Sequence, residues 1–235
     1  MPGAAAVAIW CDVDRQIKDE FDDWHAHEHM PERLAIPGFL RGSRWVSVDG
    51  RNSYFVLYEL KELEILTAGP YLQRLNNPTP WSTKMMPHHR NMVRSLCRVE
   101  SSFGAGLGEA MLTARLAPQA GAEERLGKWL GAELLAGIPA RKGLVAAHLL
   151  RDAGAVQGAP TTEQKIRGGD KAADRIMLVN GYAADVVTGL AAGELNEAAL
   201  VAHGAAPGSI ARVYKLAHAL TAAPPDTASA ASGPA

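Results

Sequence analysis

Two cysteines in 235 residues, Cys11 and Cys97, are too few for a disulfide framework, and each sits in a strand-like apolar run. They read as reduced thiols buried like small hydrophobes. Neither sign of charge is in surplus: 24 Lys and Arg stand against 25 Asp and Glu, for a formal net charge of −1. Without a sustained basic run the electrostatic term that drives nucleic-acid binding is missing, so DNA and RNA are not expected partners. Apolar runs do not exceed strand length, and Met1-Pro2-Gly3-Ala4-Ala5-Ala6 lacks the basic and long apolar regions of a leader. The expectation is a cytoplasmic protein that neither crosses a membrane nor is exported. Gly-rich phosphate loops, CxxC pairs and a nucleophile-elbow motif are also missing, which leaves nucleotide-driven, zinc-ribbon and serine-hydrolase chemistry without support.

What is present is an ordinary globular composition, 47% hydrophobic and 21% charged, arranged in a repeating order of elements. Residues 6–13 predict a strand, and residues 18–34 a helix that Ile36-Pro37-Gly38-Phe39 stops, with Pro31 expected to kink it just after His29. Strands at 42–48 and 53–60 flank the turn Asp49-Gly50-Arg51-Asn52 and read as a hairpin. A helix over 62–75, an irregular loop over 76–81 that contains Pro78 and Pro80, and a strand over 92–99 complete a β-α-β-β-α-β unit. After Phe103-Gly104-Ala105-Gly106-Leu107-Gly108 the order starts again, with strands at 111–116, 144–150, 176–182 and 210–216 and helices at 122–135 and 185–203. A polar, Gly-rich loop is expected near 153–173, and Gly137-Ile138-Pro139 echoes Ala35-Ile36-Pro37.

Repetition on this scale implies duplication. The fold class is therefore α+β: two tandem ferredoxin-like units, residues 1–105 and 106–220, whose antiparallel sheets pack into a pseudo-dimeric α+β barrel. The inner faces of the sheets are expected to enclose a cavity, and the molecule to be a monomer or a homodimer. Residues 221–235 are low-complexity and predict a disordered tail.

The stretch Phe21-Asp22-Asp23-Trp24-His25-Ala26-His27-Glu28-His29-Met30-Pro31-Glu32-Arg33 holds three of the eight histidines within five residues. On a helical wheel Phe21, Trp24, His25, Glu28, His29, Glu32 and Ile36 share one broad face, while His27 points away with Asp23 and Met30. His25 and His29, one turn apart, can share a substrate, a proton or a metal, and Glu28 can orient either ring and raise its pKa. A metal there would need a third ligand, for which His88 and His89 are the candidates. The competing reading is a polar outer face of solvated histidines. Strand alternation puts Tyr54, Val56 and Tyr58 on one face, and Arg44, Val46 and Val48 on one face of the neighbouring strand. If those faces meet the cavity, Tyr58 can donate a hydrogen bond, Arg44 can hold a carboxylate, and Trp81 can cover the opening.

Phe21, Trp24, His29, Pro31, Ile36-Pro37-Gly38-Phe39 and Arg44-Trp45 resemble the pattern of the dimeric α+β barrel superfamily, in its branch near EthD-type proteins and methylmuconolactone methylisomerase. The resemblance covers residues 6–103 well and 109–218 only in topology. It implies small-molecule chemistry, often without a cofactor: isomerase, lyase or monooxygenase reactions on electron-rich rings, small organic acids or lactones. The helix of the second half, Leu126-Gly127-Lys128-Trp129-Leu130-Gly131-Ala132-Glu133, has no histidine and reads as scaffold. The leading expectation is an enzyme with His29 as general acid/base, tuned by His25 and Glu28, and with Arg44, Tyr58, Trp24 and Trp81 around the substrate. No cofactor or metal is required. A ligand-binding or stress-response barrel without turnover, and a metal-dependent enzyme using His25 and His29, are the alternatives.

Overall fold

In β1 (Ala5–Val13) the residues Ala6, Ala8 and Trp10 face one way and Ala5, Val7 and Ile9 the other, and both faces are apolar. A strand of this kind must be covered on both sides. The computed structural model, which describes residues 1–154, 161–167 and 173–223, shows how. Seven further strands join β1: β2 (Phe39–Ser47), β3 (Ser53–Leu60), β4 (His89–Phe103), β5 (Ala110–Leu116), β6 (Leu144–Asp152), β7 (Arg175–Gly181) and β8 (Ile210–Thr221). They close into one antiparallel barrel in the order β1-β3-β2-β8-β5-β7-β6-β4.

Each half contributes the order fourth-first-third-second, which is the ferredoxin-like arrangement, and the halves meet at two seams, β2 with β8 and β4 with β6. One face of every strand looks into the barrel. Among the described residues, Trp10, Trp45, Phe55, Met111, Leu178 and Tyr214 from both halves pack into the interior as a shared core, where the cavity was expected. A cleft lies outside the barrel, over the outer face of the first half's sheet.

In the first half that layer is α1 (Lys18–Trp24), a π turn over His25–His29, and α2 (Met30–Leu34). The expected kink after His29 gives way to the π turn, which precedes Pro31. Pro31 directly follows the π turn within one continuous helical run, and His29 and Met30 both keep helical geometry, Met30 at φ −67° and ψ −44°. Gly38 then turns the chain into β2 at φ +94°, where a Cβ would meet the Ile65 side chain at 2.2 Å.

The second crossing holds a 3-10 turn over Leu63–Thr67, then α3 (Gly69–Asn76) and α4 (Pro80–Met85). The irregular loop expected over 76–81 is corrected by α4. Pro80 is at the first helical position, which proline tolerates, and Thr79 caps the helix by accepting from the Ser82 N–H at 2.9 Å.

The second half repeats the plan with α5 (Glu123–Lys128), a π turn over Trp129–Leu134, and a 3-10 stretch over Leu135–Ala140. The single helix expected over 185–203 is two, α7 (Ala184–Ala192) and α8 (Glu197–Ala202). The expected loop over 153–173 contains α6 (Thr162–Arg167), while most of the expected tail lies outside the described residues. No helix among the described residues is long and apolar enough to cross a membrane.

Candidate active site

A cleft opens on the outer side of the first sheet. Its apolar wall is Val7, Ile9, Phe39 and Leu75; its polar groups are His29, Arg33, Tyr58, Tyr71, Arg94 and Glu163. Strand alternation explains two of them: Tyr58 on β3 and Arg94 on β4 share the outward face with Val7 and Ile9. Helical spacing explains two more, since Arg33 follows His29 by four residues and so reaches the same cleft. The free room is small, about 30 Å³, enough for one or two waters.

Behind His29 stands a stack of rings. The Trp24 ring centroid lies 4.5 Å from that of His29, and His25 follows at 5.7 Å. His25 is 3% exposed, and its Nε2 lies 3.4 Å from the Tyr58 hydroxyl, a long hydrogen bond. Burial first, then the positive charge of Arg44, lowers the His25 pKa well below its usual value. Burial raises that of Tyr58. Both therefore stay uncharged at neutral pH, and His29 is left as the histidine of this pair that opens on the cleft.

Glu28 has other partners than the imidazoles. Its Oε1 accepts from Trp24 Nε1 at 3.2 Å, Thr79 Oγ1 at 2.5 Å and Ser82 Oγ at 3.2 Å, which ties the π turn to α4 and fixes the Trp24 ring under His29. Arg44 also faces outward, yet it does not line the cleft. Its Nη1 donates to the Asp22 carbonyl at 2.8 Å and lies 3.3 Å from Asp22 Oδ1, holding α1 to the β2–β8 seam beside His218. Trp81 donates to Glu20 at 3.2 Å and packs with Phe21, Met85 and Val46, away from the opening.

Metal binding by His25 and His29 finds no third ligand where it was sought. His88 faces Asp14 at 3.4 Å, and His89 sits 3.1 Å from the Met86 carbonyl, edge-on to Phe21. Among the described residues no group of three His, Cys, Asp or Glu is placed to hold a metal ion. Both cysteines are buried as expected, Cys97 facing the barrel interior and Cys11 the helix layer.

Arg33, Tyr71, Arg94 and Glu163 are the cleft residues that sequence reading missed. Arg33 carried a signal, the i,i+4 spacing from His29. Glu163 carried none, since it arrives from the second half on α6 and pairs with Arg33 across 130 positions. Burial works against the Arg33 charge, but Glu163, Tyr71 and Tyr58 more than offset it and raise its pKa above the usual guanidinium value. Arg94 in turn donates to the Tyr71 hydroxyl.

Comparison with known proteins places this fold. No protein-family profile and no curated protein matches the sequence. Solved structures do: an anthrone oxidase-like protein superposes with a TM-score of 0.66 at 12% identity, covering 93% of both chains. A candidate monooxygenase from Fusobacterium nucleatum subsp. nucleatum gives 0.59 at 7% identity, over 94% of this chain and 96% of that one. One from Lactobacillus acidophilus gives 0.59 at 6% identity, over 93% and 96%. The chain thus has the ferredoxin-like α+β barrel fold of these proteins, with both units in one polypeptide.

Proposed function

We propose that the cleft of the first half is the active site of an enzyme that moves a proton on a small, partly apolar ring compound. The observation that carries the reading is the convergence of His29 and five other polar side chains on an otherwise aliphatic and aromatic wall. His29 is the acid/base, since an imidazole can accept a proton at one ring nitrogen and donate one from the other.

Tyr58 and the Arg33 side of the cleft orient the substrate, and Trp24 and Glu28 hold the His29 ring in place. Removing a proton from an activated carbon or a ring hydroxyl leaves an enolate or phenolate. That anion can shift its double bond, lose a neighbouring group or react with molecular oxygen. Isomerase, lyase and cofactor-independent monooxygenase chemistry, including that of the EthD-like branch and of anthrone oxidation, share this first step.

The test is a panel of anthrone, a hydroxylated aromatic acid and a lactone acid, followed for product and for oxygen uptake. Turnover of at least one by the wild type, lost by about 10²–10⁴ in His29→Ala, is the expected result. Unchanged turnover in that variant would refute the assignment. A barrel that binds such compounds without turnover would show saturable binding and no product.

A further inference from the structure

We infer that Glu163 holds the place of the substrate's own anionic group: the ligand of this cleft is a ring compound bearing a carboxylate, and it takes over Arg33 as Glu163 withdraws. The inference rests on the cleft being the substrate site.

Arg33 and Glu163 are 4% and 3% exposed and pair with each other inside the cleft. Among the described lining residues Glu163 is the one that comes from the second half; the others belong to the first. A carboxylate carried in from outside the half, on a six-residue helix, enters the cleft as a ligand would. Its contribution to stability does not explain it. A buried ion pair roughly breaks even against apolar side chains of the same volume.

Space argues the same way as charge. Room for one or two waters cannot admit a ring, and the Glu163 side chain fills the end of the cleft beside the guanidinium. Its withdrawal vacates that volume and frees the guanidinium in one movement. A ligand carboxylate then takes the seat, where arginine can bind it bidentately. The exchange leaves the charge of the site unchanged, so Arg33 never stands buried and unpaired. A neutral ligand would leave it so. With the carboxylate on Arg33, the ring lies along Phe39 and Tyr58, whose centroids are 5.9 Å apart, within reach of His29.

The probes are benzoate and its neutral analogue benzyl alcohol, titrated calorimetrically into the full chain at pH 7.5. Benzoate should bind at least tenfold more tightly. Glu163→Gln removes the internal competitor and should tighten benzoate by about tenfold, since a ligand's apparent affinity is reduced by the fraction of sites not competent to receive it. The double variant Arg33→Met, Glu163→Met exchanges the pair for apolar side chains, keeps the fold, and should lose the preference for benzoate. It decides the matter even if the single variant fails to fold. The exchange is overturned if the wild type binds benzyl alcohol as tightly as benzoate, if Glu163→Gln leaves benzoate affinity unchanged, or if the double variant keeps the preference. Binding of benzyl alcohol alone, or of neither probe, removes the exchange, while the turnover panel with His29→Ala decides separately whether the cleft is a substrate site.

Discussion

Strand register lines up the two halves residue by residue. Leu96, Val7, Tyr58 and Gly42 form one rung across the first sheet, and Val213, Leu112, Val179 and Ala147 form the matching rung across the second. Tyr58 therefore corresponds to Val179. Two residues along the same strands, Arg94 corresponds to Ala211 and Arg44 to Leu149. The second half closes the space over its sheet with Leu126, Leu130, Leu134 and Val187, where the first half places His29 and Arg33. Yet both halves interrupt the first helix with a π turn at the same place. The π turn is thus common to both halves, and what differs is the side chains set on it. Both helix layers bury apolar side chains, but only the first also sets His29 and Arg33 over its sheet.

Breaking that contrast should have its largest effect at His29. His29→Ala should lower turnover by about 10²–10⁴ with a small change in melting temperature. His148→Ala and His203→Ala, in the second half, should leave turnover unchanged. Leu130→Ala makes the opposite cut: loss of a fully buried leucine from the second helix layer should cost about 2–5 kcal/mol in urea unfolding while sparing kcat of the folded enzyme. Val179→Tyr, which places the Tyr58 side chain at the matching rung of the packed half, should cost about 1–3 kcal/mol by overcrowding. If the second half instead accepts the ring without loss, its packing is looser than its buried leucines indicate.

The smallest effect sharpens the comparison through pH. Each half buries a neutral histidine, His25 in the helix layer of the first and His148 on the inner face of β6 in the second, where Ser102 Oγ lies 2.9 Å from its Nδ1. Burial pushes the His148 pKa down to about 3. Unfolding restores it to about 6.5, so between these values the unfolded chain binds the extra proton. Stability is whole above pH 6.5 and falls as the pH drops toward 3. At pH 5.5 the loss from His148 is on the order of 1 kcal/mol, and chemical denaturation of His148→Gln should show a flatter acid limb.

The order of elements was legible in the sequence because turn residues at Ile36-Pro37-Gly38-Phe39 and Asp49-Gly50-Arg51-Asn52 punctuate runs with clear strand composition. The location of the cavity was not. Both faces of β1 are apolar, Ala6, Ala8 and Trp10 against Val7 and Ile9, so alternation alone cannot say which side fills the barrel and which meets the helices. Pro80 looked like a breaker, because a residue type shows what it forbids in a helix interior and not that it stands at a helix start. The π turn left no mark, since a few residues of wider winding barely shift a helical wheel. Helical spacing put Trp24, His25 and His29 on one face, but Tyr58 was placed only by strand alternation and on the face expected to line the barrel interior, whereas it faces outward. Glu28 was legible as a member of the helix face but not as the partner of Thr79 and Ser82, which depends on a contact across 51 and 54 positions.

The two seams of the barrel carry a consequence for how such a molecule can change over time. Had the halves been separate, identical subunits pairing through the same edges, every mutation would strike both copies at once, and a lesion in one site would be a lesion in its twin. Covalent joining ends that bondage. With β2 held to β8 and β4 to β6 inside one chain, each half can change on its own, and one carries leucines over its sheet where the other carries His29 and Arg33.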